Sequence, residues 1–267
     1  MSKLIWDAVG ERTYETGVDH GILFVVDNDS YGAGEVWNGI SNVTESPSGA
    51  EATAIWADNI KYLNLYSAEE YGLTIEAYTY PDKFKECNGM ASVGTGVNIG
   101  QQARKSFGFA YRTRIGTDLD ESAGEKIHLV YGCRAGTTEV SHGTVNDSPE
   151  AAQFSWEVTT TPVPVEGFRP TSNVEIDSTL VDETKYNSFL AILEGTDDTY
   201  TKLATEPANW ATNYTDYYTK NASTGEYEAV TGETAPTFEA NKYYSKTAGT
   251  DSRLPSIEEV MAHFAEG

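Results

Sequence analysis

The sequence predicts a mainly β fold: a sandwich or barrel with one flanking helix and a small inserted module rich in aromatic residues. Three observations predict it. Residues 1–180 break into many short segments, several alternating apolar and polar residues with a period of two. Gly, Asn, Asp and Pro punctuate the gaps at hairpin-like intervals. Helical spacing is confined to two late stretches. Many short strands with few helices are the pattern of a sandwich or barrel.

The elements follow in order. Val18–Val26 is a short apolar run, and Asp27–Gly34 after it carries a turn signal. Ala54–Leu65 mixes Ile, Trp, Tyr and Leu with polar residues and reads as part of the strand set. Leu73–Tyr80 alternates clearly, with Leu73, Ile75, Ala77 and Thr79 on one side and Thr74, Glu76, Tyr78 and Tyr80 on the other. Ser106–Arg114 groups Phe107, Phe109 and Tyr111 in the same way. Ile127–Tyr131, Ala152–Thr161 and Asn173–Asp177 complete the strands. Asp182–Glu194 then places Tyr186, Phe189, Leu190 and Leu193 on one helical face, with Asp182 as N-cap and Gly195 as stop. A second short helix spans Ser256–Ala265, where Ser256 and Glu259 have capping-box spacing just after Pro255.

The texture changes between the two helices. Residues 197–250 are rich in Thr, Asn, Ala and Tyr and poor in aliphatics. Two units look related: Tyr200, Pro207, Trp210, Tyr217-Tyr218 and Lys220, then Tyr227, Pro236, Phe238, Tyr243-Tyr244 and Lys246. The spacings differ slightly, so the repeat is degenerate. The organisation expected is a β domain over 1–196, an inserted module over 197–250 and a C-terminal segment over 251–267 that returns to the first domain. Insertions survive at exposed loops where they disturb no core.

At 267 residues the chain can bury a sizeable core. Acidic residues outnumber basic ones 41 to 18, a formal charge of −23 that repels duplex DNA and disfavours anionic membranes. Acidity also keeps an abundant protein soluble. The two cysteines, Cys87 and Cys133, lie in no zinc spacing and read as reduced, partly buried thiols. MSKLIWDAVGER has no apolar core of signal-peptide length, and no run approaches a membrane span, so synthesis in a cytoplasm and no membrane partner are expected.

Catalytic motifs are not found. His20, His128, His142 and His263 are scattered, with no helical pair beside a carboxylate, so no metal is expected. Gly94-Thr-Gly96-Val-Asn-Ile-Gly100 approximates a dinucleotide loop, but has one residue too many and no helix after it; a flexible hairpin tip fits better. Glu69-Glu70, Asp118/Asp120/Glu121 and Asp197-Asp198 are carboxylate pairs among many, and a glycosidase pair needs a cleft that raises one pKa. No cofactor is expected. In the insertion, Trp210, Tyr217, Tyr218, Tyr243 and Tyr244 either form an external aromatic surface for stacking on sugars or supply the core of a module short of aliphatics. Thr44, Glu45, Ser46, Pro47, Ser48, Gly49, Ala50 and Glu51 form a small, polar stretch, a candidate arm between subunits or rings.

One resemblance organises these readings. WNGISNVTESPSGAEATAIWADNIKYLNLYSAEEYGLTIEAYTYP (residues 37–81), IGQQARKSFGFAYRTRIGTD (Ile99–Asp118), KIHLVYG (Lys126–Gly132) and VNDSPEAAQFSWEVTTTPV (Val145–Val163) follow one another in a series that resembles the major tail protein of long-tailed, non-contractile phages. The resemblance covers most of residues 1–195 and returns at Arg253–Phe264. It implies a tail-tube fold, a subunit of hexameric rings stacked into a hollow tube, and a location in the virion tail after synthesis in the host bacterial cytoplasm. The implied partners are copies of itself and other tail proteins (terminator, tip and tape measure), with DNA passing without being bound. In that family the helix runs almost directly into a segment like DSRLPSIEEV, so residues 197–250 read as an insertion that decorates the outside and could touch a host surface glycan. The alternatives are a surface adhesin that binds carbohydrate through the aromatic repeats, and an acidic β-rich hydrolase whose catalytic constellation is not found.

Overall fold

Strands form here because apolar side chains recur at every second position and because the turns between them carry residues that tolerate left-handed backbone. Asn28-Asp29 and Asp58-Asn59 both take positive φ at two successive positions. That is the geometry of a tight hairpin turn whose twist matches its strands. The computed structural model describes residues 6–144 and 151–265; the first six residues of Val145–Val163, the first five of the chain and the last two lie outside them. The strands are β1 (Thr13–Asp27), β2 (Ser30–Tyr31), β3 (Glu35–Trp37), β4 (Ile40–Glu45), β5 (Ser48–Gly49), β6 (Ala52–Ala57), β7 (Ile60–Tyr66), β8 (Glu69–Glu70) and β9 (Gly72–Ala77). The short helix α1 (Phe84–Cys87) precedes β10 (Ala91–Gly94), β11 (Val97–Ile99), β12 (Phe107–Thr117), β13 (Gly124–Ala135), β14 (Phe154–Thr160), β15 (Asn173–Asp177) and helix α2 (Glu183–Glu194). Then come β16 (Thr199–Lys202), α3 (Trp210–Asn213), β17 (Tyr217–Lys220), β18 (Tyr227–Ala229), β19 (Tyr243–Thr247) and α4 (Ile257–Phe264). The fold is mainly β. It divides into two compact units, residues 194–252 forming the second; the sequence placed those boundaries at 197 and 250.

In the larger unit an antiparallel sheet runs β2-β1-β12-β13-β14-β9-β4, with β15 added to β13 and β3 to β1. The chain from β3 to β4 leaves one end of this sheet for the other, since β3 pairs with β1 and β4 with β9. The sheet thereby curls around an interior. Leu23, Val25, Leu73, Ile75, Ala77, Phe107, Phe109, Val130, Cys133, Trp156 and Val158 point into it. The alternation expected for Leu73, Ile75 and Ala77 is what buries them. Helix α1 delivers Phe84 into this interior, where its ring lies 4.5 Å from Trp37 and 5.0 Å from Trp156. Trp37 donates its indole N–H to the Thr79 carbonyl at 2.9 Å, which fixes the ring. Cys87 and Cys133 are free and, rather than partly buried, fully enclosed in this cluster; burial pushes the Cys87 thiol up to about 12.

The opposite strand positions face outward and are covered by helices. Ile22, Phe24, Ala110, Ile127, Leu129, Tyr131 and Ile176 pack with Tyr186, Phe189 and Leu193 of α2 and with Ile257 and Val260 of α4. Each such side chain contributes roughly 1.5–3 kcal/mol when fully buried. The caps follow the sequence: the Asp182 carboxylate accepts from the Lys185 amide at 3.0 Å, and Ser256 and Glu259 close a complete capping box. Tyr131 donates its hydroxyl to the Pro255 carbonyl at 3.0 Å and so ties the C-terminal segment to β13.

Asp19 organises the outer wall. Register shifts on either side of it, with a φ of 50° at His20, bulge β1 and turn its carboxylate toward β12. It accepts from Arg112 Nε at 2.9 Å and Arg114 Nη2 at 3.0 Å. Burial alone would raise its pKa, but Arg112, His20 and Arg114 together outweigh that and hold it at about 2, below the usual 3.8.

Two outcomes follow from these contacts. Because Asp19 is held low in the fold, its contribution is complete above about pH 4 and is lost as pH falls from there toward 2. Urea midpoints recorded across that window should fall less steeply for Asp19→Asn than for the natural chain; parallel slopes would refute the assignment. Gly132 takes a φ of +62° where a Cβ would collide with the Thr161 carbonyl. Gly132→Ala should therefore cost about 2 kcal/mol or more in urea unfolding, by backbone strain and displacement of β14.

Candidate functional site

Residues 40–77 form one long antiparallel hairpin. Its lower part, β4 on β9, belongs to the barrel wall. Beyond Glu45 the two strands leave the wall together: Ser48 pairs with Glu70, Ala52 with Tyr66 and Ala57 with Ile60, and Asp58-Asn59 forms the tip. At about 3.3 Å per residue, the stretch from Ser46 to Asp58 reaches up to roughly 40 Å. Among the described residues β6 and β7 pair with each other and with no other strand.

This outer ribbon is apolar and uncovered. Ile55, Trp56, Ile60, Tyr62, Leu63, Leu65 and Tyr66 are all exposed, Trp56 and Tyr66 to 68% each. Register places Thr53 opposite Leu65 and Ile55 opposite Leu63, which puts the aliphatics on one face. Ala52 opposite Tyr66 and Ala54 opposite Asn64 make the other face. Tyr62 is the extra residue at a bulge between Ile55 and Trp56. Scattered exposed apolar residues are ordinary, but a contiguous group on a ribbon is a candidate interaction surface. A second hairpin, β10 and β11, exposes Val93, Val97 and Ile99.

Two expectations change here. Ala54–Leu65 is not a barrel strand but this projecting ribbon. Nor are Thr44, Glu45, Ser46, Pro47, Ser48, Gly49, Ala50 and Glu51 a free loop: they are the ribbon's paired neck. The Ser46 amide donates to Gly72 O at 2.7 Å, and Tyr111 donates its hydroxyl to Glu45 at 2.6 Å. Backbone pairing with residues 68–72 absorbs the polar groups that a loop would leave to water. The apolar contact surface lies further out, at residues 52–66.

The smaller unit is a four-stranded sheet in the order β16-β19-β17-β18. Each repeat supplies a leading Tyr strand and a Tyr-Tyr strand, and the leading strand of one repeat pairs with the Tyr-Tyr strand of the other. Tyr218 and Tyr244 face each other where the two Tyr-Tyr strands meet. Adjacent residues of a strand point to opposite faces, so each Tyr-Tyr pair is divided. Tyr217 and Tyr243 join Trp210, Val230 and Phe238 in the core. Trp210 and Tyr243 are each only 3% exposed, and Trp210 donates its indole N–H to Pro236 O at 2.8 Å. The expected external surface is corrected accordingly: Trp210, Tyr217 and Tyr243 are core, and only Tyr218 and Tyr244 lie on the other face.

That other face holds two tyrosines that sequence reasoning did not assign to it. Tyr200 stacks flat on Tyr227, with ring centroids 4.0 Å apart and an angle of 2°. Tyr218 meets Tyr200 edge-on at 5.1 Å, and Tyr244 meets Tyr227 at 4.9 Å. Strand parity and register place Lys202, Lys220 and Lys246 on this face as well. Lys220 sits 5.3 Å from the Tyr227 ring centre and Lys246 5.9 Å from that of Tyr218. Lys246 also pairs with Asp198 at 2.5 Å. Cations over rings are notable in a chain of charge −23.

Among the described residues, no helix is long and apolar enough to cross a membrane. No family model matches the chain, and no curated protein matches it.

Proposed function

We propose that this chain is a structural subunit whose copies assemble into stacked hexameric rings, the tail tube of a long-tailed phage through which DNA passes. The observation that carries this reading is the ribbon: seven large, exposed apolar side chains on an arm that pairs with no other strand among the described residues. Such an arm suits insertion against a neighbouring subunit, by strand pairing or by packing of its faces. A heterologous contact of this kind closes rings and repeats along an axis. The resemblance of residues 37–163 to tail tube subunits supports the same reading, and so does the acidity, which favours a passage that does not hold DNA. The protein then works by assembly rather than catalysis, in the virion tail, beside terminator and tip proteins. In the cleft between β12 and α2, lined by Arg112, Arg114, Glu125, Glu183 and Tyr186, both arginines are held in ion pairs, Arg112 with Glu125 at 2.7 Å and Arg114 with Asp19 at 3.0 Å.

A second reading applies to residues 194–252. The Tyr200/Tyr218/Tyr227/Tyr244 face with its three lysines favours binding of anionic glycans, with rings for the sugar's apolar face and ammonium groups for its carboxylates.

Electron microscopy of the purified full chain at rising concentration, with and without tail-tip complex as nucleator, should show rings or tubes. The double substitution Trp56→Ser with Leu65→Ser should abolish them and leave thermal stability within about 0.5 kcal/mol, since both side chains are mostly exposed in the subunit. Monomers alone under every condition would refute the assembly reading. For the second reading, a glycan array probed with the full chain should retain acidic glycans. Tyr218→Ala with Tyr244→Ala should weaken that signal at least tenfold, and an array with no retained glycan would end it.

A further inference from the structure

The barrel interior turns from apolar to polar along β12, whose inward positions run Phe107, Phe109, Tyr111, Thr113. At the polar end His128 lies flat on Tyr111, with centroids 4.5 Å apart and an angle of 2°. His128 is 6% exposed. The charged and titratable groups around it come from the strands packed on every side: Glu15 of β1, Glu45 of β4, Tyr111 of β12, Lys126 of β13, Glu175 of β15, and Tyr71 beside β9.

Thr113 donates its hydroxyl to Glu15 Oε1 at 2.6 Å, so its oxygen is free to accept the Nε2–H of His128 at 3.0 Å. In the tautomer with its one proton on Nε2, Nδ1 carries the lone pair. Among the described residues Nδ1 makes no hydrogen bond. It faces Glu45 Oε1 at 3.5 Å, an oxygen that already accepts from Tyr111. In that tautomer a lone pair is buried against a carboxylate, an arrangement that a cation between them relieves. The separation is too long for a good hydrogen bond. It is close to the edge of a tetrahedron with bonds of about 2.0–2.1 Å, which is roughly 3.4 Å. Glu175 completes the set: one ligand atom from each of Glu45, His128 and Glu175 lies within 4.8 Å of the others. Charge points the same way. Lys126 holds Glu15 at 2.7 Å and lies 3.6 Å from Glu175 Oε2, so one ammonium is shared between two carboxylates, and among the described residues Glu45 has no lysine or arginine partner.

We propose that His128 Nδ1, Glu45 and Glu175 form a site for one divalent cation, with zinc the ion best suited to one imidazole and two carboxylates. The fourth position is open to water or to a group from another molecule. The outer partners are those expected of such a site: Nε2–H held by Thr113 and Glu15, and Glu45 oriented by the Tyr111 hydroxyl. The ion would join β4, β13 and β15 and so clamp the base of the projecting ribbon to the barrel wall. Sequence spacing could not reveal the site, because its three ligands stand 83 and 47 residues apart in the chain (128 − 45 and 175 − 128).

Zinc chloride titrated calorimetrically into the chelator-treated full chain at pH 7 should show one saturable site per chain and a raised melting temperature. Glu175→Gln should weaken binding at least tenfold while the chain stays folded, because that side chain is 46% exposed. Glu45→Gln should do the same, and His128→Gln should abolish binding. X-ray absorption of the loaded chain should show one nitrogen among the nearest neighbours. Absence of saturable binding, or an affinity in Glu175→Gln and Glu45→Gln unchanged from that of the natural chain, would overturn the site. So would a nitrogen-resolved NMR spectrum in which both ring nitrogens of His128 carry protons at pH 7 and zinc changes nothing.

Discussion

The structure depends on the filling of one barrel by rings. Trp37, Phe84, Phe107, Phe109 and Trp156 occupy an interior that aliphatic strands alone would leave loose, and Phe84 enters only because the short helix α1 turns inward. Edge-to-face pairs at 5–6 Å add to the burial of large surfaces. A filled barrel has a consequence for function. The described residues fill this interior with side chains, so in the proposed tube the passage for DNA would be formed between chains, by the faces and edges that neighbouring copies align. The filled interior also makes the wall rigid enough to hold the ribbon in a fixed direction. Truncating Trp156 would therefore be felt at the ribbon's base, since β14 and β9 pair along six residues and β9 carries the neck.

Much of this architecture was legible. The period of two in Leu73–Ala77 and Phe107–Tyr111 gave both the strands and their buried faces, because an alternating pattern can satisfy only one side of a sheet. The extent of Asn173–Asp177 agrees residue for residue. Asp182 and Ser256 announced their helices through the oxygen each offers to an amide two or three residues on. The failures have separate causes. Ala54–Leu65 has the composition of a core strand, and composition does not say whether such a strand is covered within its own chain. Asp58-Asn59 was the available clue, since two residues tolerant of positive φ between apolar runs mark a tip rather than a continuous strand. The aromatic surface was misjudged differently: Tyr217 and Tyr218 were taken together, although neighbours in a strand are bound to part.

The smaller unit shows how a short module overcomes a lack of aliphatics. Its repeats exchange leading strands, so each half completes the other's sheet. Trp210, Phe238 and Tyr243 then meet at 4.5–5.7 Å and exclude water from a core with one fully buried aliphatic, Val230. The same alternation that gives Tyr217 and Tyr243 to this core delivers Tyr218 and Tyr244 to the opposite face. Core and face are thus one sequence feature read on two sides. A substitution that shifts the register of β17 by one residue would exchange them.

The proposed assembly sets an energetic requirement on the ribbon. Joining two proteins costs on the order of 4–15 kcal/mol in lost motional freedom. Fully covering a large apolar side chain returns roughly 1.5–3 kcal/mol. Seven such side chains are enough to overcome the cost only if the arm is already ordered before it docks. The neck supplies that order: Ser48 and Gly49 pair with Glu69 and Glu70, and Tyr111 anchors Glu45 at the wall. A free polar loop at 44–51 would have lost part of this return to chain entropy at every contact. In the proposed assembly, the paired neck would account for how an acidic chain attracts its own copies. The apolar contact is concentrated on a preformed arm, and like charge, screened over about 8–10 Å in physiological salt, opposes every other approach.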